Sequence, residues 1–160
     1  MVAGAGRWPV ARGEDPYDLD RFVEAQKTHY ERALAEIRDG DKRSHWMWYI
    51  FPQLSGLGSS PTSQRYSLRS LGEAEAYLAH PVLGPRLVEC AEAALAVPGN
   101  SAHEIFGSPD DWKFRSSATL FALVSPPGSV FHHVLEKYFR GERDPKTLEL
   151  LRERTTKPCA

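Results

Sequence analysis

The sequence predicts an all-α protein, an irregular multihelical single domain of about seven or eight short helices. Three observations carry that reading. Apolar residues recur at helical spacing, helix-start signals of the Ser-x-x-Glu and Ser/Asp-Pro kinds recur along the chain, and no segment alternates apolar and polar residues as a half-buried strand would. The helices are short and unequal and nothing repeats, which favours an irregular array over a regular four-helix bundle.

The first element is the clearest. In "DLDRFVEAQKTHYERALAEIRDG", Leu19, Phe22, Val23, Gln26, Tyr30, Ala33, Leu34 and Ile37 fall at helical spacing, with Asp18 placed to cap and Gly40 to stop. "HWMWYIF" follows as a short buried helix, capped by Ser44 and ended by Pro52. Ser60-Pro61 marks another start. Ser70 with Glu73 and Ser101 with Glu104 read as two capping boxes. Between them "HPVLGPRLVECAEAALAV" carries Leu87, Ala91, Ala94 and Leu95 on a face and ends at Pro98-Gly99. In "SPDDWKFRSSATLFALV", Ser108 can cap, Pro109 takes the first helical position, and Asp110 and Asp111 complement the helix dipole. "SVFHHVLEKYFRG" places Val130, Phe131, Val134, Leu135 and Tyr138 on one face, and "DPKTLELLRER" opens with Asp144 as cap and Pro145 first. The helical domain is expected over residues 15–154, between a disordered N-terminal tail, 1–14, and a C-terminal tail, 155–160.

Bulk properties narrow the function classes. Twenty basic against 21 acidic residues leave a formal charge of -1, which provides no general attraction to nucleic acid or to a membrane surface. Apolar runs such as "WMWYIF" fall far short of the roughly 20 residues of a membrane span, and the N-terminus has no secretory pattern. A cytoplasmic protein is expected. The two cysteines, Cys90 and Cys159, make no disulfide framework, and Cys90 within "RLVECAEAAL" reads as a small buried hydrophobe.

Several motifs are excluded by spacing. No two of the six histidines stand four apart, so no metal site is expected, and no cofactor either. "GLGSS", residues 56–60, lacks the Gly-Lys-Ser/Thr ending of a P-loop and the third glycine of a dinucleotide fingerprint. No Gly-x-Ser-x-Gly elbow occurs.

What remains is a constellation in two segments, residues 42–60 and 107–121, which hold three of the four tryptophans beside charged and amide side chains. Trp46, Trp48 and Trp112 are candidates to stack on a flat group, and Gln53, Lys113, Ser116 and Ser117 to hold polar ones. Lys42, Arg43 or Lys113 could meet a phosphate. Asp110, Asp111 and His45 are the candidate catalytic groups: a carboxylate can activate water or offset an oxocarbenium ion, and a histidine can serve as acid near neutral pH. On the helix from Asp110, one polar face and one packing face are expected.

"RFVEAQ", "HWMWYIFPQLSGLGSS", "EAEAYLAHPVLGPRL", "EIFGSPDDWKFRSSATLF" and "VLEKYF", in this order, resemble the domain-of-unknown-function 1810 (DUF1810) family of bacteria and fungi, over about residues 15–140. The resemblance implies a multihelical, cytoplasmic, single-domain protein and assigns no reaction. Members are sometimes labelled calpastatin. This chain is aromatic-rich, unrepeated and without a TIPP-type motif, so it is not a calpain inhibitor of that disordered kind. A looser likeness, through "AQK" at residues 25–27, is to helical ADP-ribose and ribosyl-amine N-glycosidases.

The expected function is a small-molecule enzyme acting on a phosphorylated, nucleotide- or ADP-ribose-like ligand, by hydrolysis of an N-glycosidic bond. Two alternatives stand beside it: a ligand-binding or sensing module without chemistry, and a protein-interaction domain presenting Trp46, Trp48 and Phe51 as an exposed hot spot.

Overall fold

A computed structural model describes residues 15–156. The expected N-terminal tail, and residues 157–160 of the expected C-terminal one, lie outside the described residues. Ten helices occur among the described residues: α1 (Asp20–Gln26), α2 (Tyr30–Arg38), α3 (Met47–Ile50), α4 (Pro61–Arg65), α5 (Leu71–Ala79), α6 (Leu83–Ala96), α7 (Ala102–Phe106), α8 (Asp110–Leu123), α9 (Val130–Phe139) and α10 (Pro145–Thr156). Leu54 and Leu68 form an isolated parallel bridge. The class is the all-α one expected, with ten helices where about seven or eight were expected; the first long helix is two.

Helix α8 is the hub, packed against α5, α7, α9 and α10, while α6 packs against α2, α5 and α9. Every residue from 116 to 122 is buried, the pattern of a helix enclosed on all sides. The polar face expected on this helix therefore stops after its first turns. Two aromatic clusters fill the core. Phe22, Tyr77, Phe121 and Phe131 follow one another with centroids 5.1–5.5 Å apart. Phe51, Phe106 and Phe114 meet at 4.5–6.1 Å beneath the candidate site.

The end signals are partly as read and partly displaced. Gly40 stops α2 with φ 69, and a Cβ there would come within 3.1 Å of Val97 and Asn100. Ser101 and Glu104 form a full capping box. Ser70 caps Glu73 N, but the Glu73 carboxylate turns to Arg69 N and to Arg21 instead of completing the box. Asp18 has φ 52 and does not cap; Asp15 does, accepting from Leu19 N and Asp20 N at 2.9 Å each. The predicted first helix breaks at residues 27–29, so that α1 can lie on α3 while α2 lies on α6. Gln26 fixes the break from inside, its Nε2 donating to Tyr49 O at 2.7 Å and to Tyr77 Oη at 3.2 Å. At α8 the cap position belongs to Pro109, which follows a cis peptide bond, and Ser108 makes no cap. Asp144 caps α10 as expected, accepting from Thr147 N at 3.3 Å and Thr147 Oγ1 at 2.6 Å.

Candidate functional site

The site begins with a buried carboxylate. Ala33, Glu36 and Ile37 lie on the inner face of α2, and Glu36 is 4% exposed. It accepts from Arg43 N at 2.8 Å, Ser44 N at 3.0 Å, Ser44 Oγ at 2.5 Å and Trp46 Nε1 at 2.9 Å. Burial pushes its pKa up, but these four bonds outweigh burial and bring it down from 4.5 to about 2. Glu36 thereby pins the loop from Arg43 to Trp46. Ser44, expected to cap α3, spends its hydroxyl on Glu36 instead, and α3 has no side-chain cap.

The pinned loop and the start of α8 face each other across a cleft of about 380 Å³, lined by Lys42, His45, Met47, Trp48, Asp110 and Lys113 among others. Lys42 Nζ stands 2.8 Å from Asp110 Oδ2, donates to Ser44 O at 2.6 Å and lies 5.0 Å above the Trp46 ring. Its side chain is only 6% exposed, so its capacity is spent inside the protein. Lys113 differs. Its Nζ is 3.6 Å from Asp110 Oδ1 and 5.1 Å over the Trp48 ring, with 20% of the side chain exposed and no hydrogen bond of normal length among the described residues. Arg43 is neutralised by Asp39 and Asp41 at 3.0 and 3.3 Å. Two lysines thus stand against the one aspartate that lines the cleft.

A second cleft of about 450 Å³ shares Pro109 and Lys113 with the first and adds Gln53, Leu57, Trp112, Ser116 and Pro145. Ser116 is not free in it, its one hydroxyl proton standing between Asp144 Oδ2 at 2.8 Å and Trp112 O at 3.0 Å.

The structure brings together His45, Trp48, Asp110 and Lys113 at the first cleft, and Gln53, Trp112, Lys113 and Ser116 at the second. Trp46 is core, 1% exposed, with its ring edge on Glu36. Asp111 turns to His103, 3.3 Å away, and accepts from Trp112 N; it lines neither cleft. Ser117 is buried, with its hydroxyl unpaired among the described residues, and lines neither cleft. Trp46 and Phe51 are both buried, which removes the exposed hot spot of the interaction reading. Gln26 of "AQK" is a core brace. Cys90 is enclosed, and burial pushes its thiol up to about 12. No group of three or more metal-ligating side chains occurs among the described residues. Sequence reasoning missed Glu36; the available signal was a glutamate one position before Ile37 on the buried stripe.

The profile of the family described as "Protein of unknown function (DUF1810)" matches residues 16–151. The fold is similar to the crystal structure of the conserved hypothetical protein Rv1873 from Mycobacterium tuberculosis: 52% identity, TM-score 0.84, covering 86% of this chain and 99% of that one. No curated protein matches. Among the described residues no helix is long and apolar enough to cross a membrane.

Proposed function

Because the chain belongs to the DUF1810 family, whose description carries no activity, we propose a function from the geometry: the lysine cleft binds a small phosphorylated ligand. The single observation that supports it is the contrast between the two lysines. Lys42 is consumed by Asp110, Ser44 O and the Trp46 ring, and so positions the loop. Lys113 is held over Trp48 at the looser distance, its ammonium open to an anion. His45, exposed at the lip, supplies a further donor.

Binding of a phosphorylated ligand is measured by thermal shift and calorimetry with inorganic phosphate, ribose 5-phosphate, AMP and ADP-ribose. A ligand at about 100 times its Kd adds about 2.7 kcal/mol of stability. Lys113→Ala is expected to weaken binding by about tenfold or more, the loss of one charge-assisted contact. No stabilisation by any of these compounds would sink the reading.

Asp110 supports a second, catalytic reading, hydrolysis of an N-glycosidic bond. It is the candidate carboxylate that lines the cleft. Its oxygens are already engaged by ammonium groups. Its available role is thus electrostatic, offsetting the positive charge of an oxocarbenium-like transition state. Release of free base or free ribose from AMP or ADP-ribose, followed chromatographically, tests it; ligands recovered intact by a protein that binds them would leave a binding module.

A further inference from the structure

We infer that the second cleft seats a flat heterocyclic ring, so that the preferred ligand is a nucleoside phosphate and not a bare sugar phosphate or an inorganic anion. The inference deepens the phosphate-binding reading and rests on it. Its first support is continuity. Pro109 and Lys113 line both clefts, so a molecule whose phosphate meets Lys113 in one can extend into the neighbouring one.

The chemistry of the second cleft differs from that of the first. Leu57, Pro109, Trp112 and Pro145 give it apolar walls. Trp112 is 55% exposed, and large exposed hydrophobics are few in this chain: Tyr17, at 36%, is the other among the described residues. An indole left in water beside a cleft presents stacking area that folding has not used. The ring is also braced. The Arg115 guanidinium lies 5.2 Å over it, and Arg115 is itself fixed by donating to Glu142 O at 3.1 Å and Arg143 O at 2.9 Å. A platform held from one face loses little freedom when a ring stacks on the other.

Beside Lys113 and Lys146, which also line this cleft, an uncharged polar group is left to select the edge of that ring. Ser116 spends its hydroxyl inside the protein, on Asp144 Oδ2, the oxygen that also accepts from Thr147 Oγ1. The Gln53 carboxamide, half-buried in the same cleft, makes no hydrogen bond among the described residues. It offers one acceptor and a donor pair side by side, the complement of a base edge that carries a donor next to an acceptor.

The test is isothermal calorimetry of AMP and ribose 5-phosphate on the wild type, Trp112→Ala, Trp112→Phe, Gln53→Ala and Lys113→Ala. Trp112 is exposed, so its variants should fold, and an unchanged Tm verifies that. The wild type is expected to prefer AMP by about tenfold or more, the range of one base stacked on one aromatic ring. Trp112→Ala should cut that preference to under about threefold, Trp112→Phe should retain most of it, and Gln53→Ala should lower it in part. Lys113→Ala should weaken both ligands alike. Equal affinity for the two ligands, unmoved by Trp112→Ala, would overturn the ring site while leaving the phosphate reading intact. Failure of both ligands and of inorganic phosphate to bind would overturn the two together.

Discussion

Glu36 and Asp110 are two carboxylates that grip the same loop from opposite sides, and they are satisfied in opposite ways. Glu36 is buried and meets four neutral donors with no cation among the described residues; Asp110 is partly exposed and meets two lysines. A carboxylate enclosed by fixed donors has no capacity left for a ligand, and its value is architectural. A carboxylate shared unequally between two ammonium groups, one buried and one half-open, sits in a site that can rearrange when an anion arrives. The difference separates what holds the cleft together from what the cleft can use.

The largest expected effect follows from the first of these. A pKa held at about 2 against an ordinary 4.5 corresponds to about 3 kcal/mol of stability. Because the folded value is depressed, that stability is fully present above pH 4.5 and is lost as the pH falls through about 2. Glu36→Gln should therefore unfold at lower urea at neutral pH, and its deficit should close as the pH drops from 4.5 towards 2. A deficit that persisted undiminished at the acid end would assign the stabilisation to packing and not to charge.

Two tryptophans, Trp46 in the core and Trp112 at the second cleft, extend the comparison. Trp46→Phe removes a buried indole N–H from Glu36 and shrinks a filled volume, and is expected to cost about 2 kcal/mol. Trp112→Ala, at an exposed ring with one stacked guanidinium, should cost under about 1 kcal/mol. Paired chemical denaturation curves check the order. A Trp112 variant as destabilised as the Trp46 one would make Trp112 a structural residue and weaken the case for a ligand platform.

These contrasts also mark how far the sequence could be read. Helical spacing and caps revealed the class and most helix starts, because both are local: Ser70, Ser101, Asp144 and Gly40 act within one turn of where they stand. Most residues lining the two clefts come from the two segments singled out by residue type, while Asp144, Pro145 and Lys146 of the second come from a segment read only as a helix start. What escaped was long-range competition for side chains. Ser44 has the type and place of a cap, but Glu36 takes its hydroxyl. Trp46 and Trp48 are two apart on one helical turn, and only packing against α2 decides that Trp46 is core while Trp48 lines a cleft. Asp110 and Asp111 are adjacent and alike in sequence; Lys42 claims one and His103 the other.

Asp110→Asn gives the most discriminating change in function. The Lys113 pair it removes is partly exposed, but the buried Lys42 ammonium is left with Ser44 O as its one hydrogen-bond acceptor among the described residues, so the cost should be about 1–3 kcal/mol. Removing the negative charge makes the cleft more positive by one unit, and inorganic phosphate should then bind several-fold tighter at low ionic strength, with the gain shrinking as salt is added. Titration of the wild type and the variant at two salt concentrations measures this. If Asp110 also offsets charge in a reaction, the same variant binds its ligand more tightly while turning it over more slowly, a split that no purely structural role produces. If phosphate instead binds the variant more weakly, Asp110 is holding Lys42 and Lys113 in their binding positions, and the two carboxylates are closer in kind than their partners suggest.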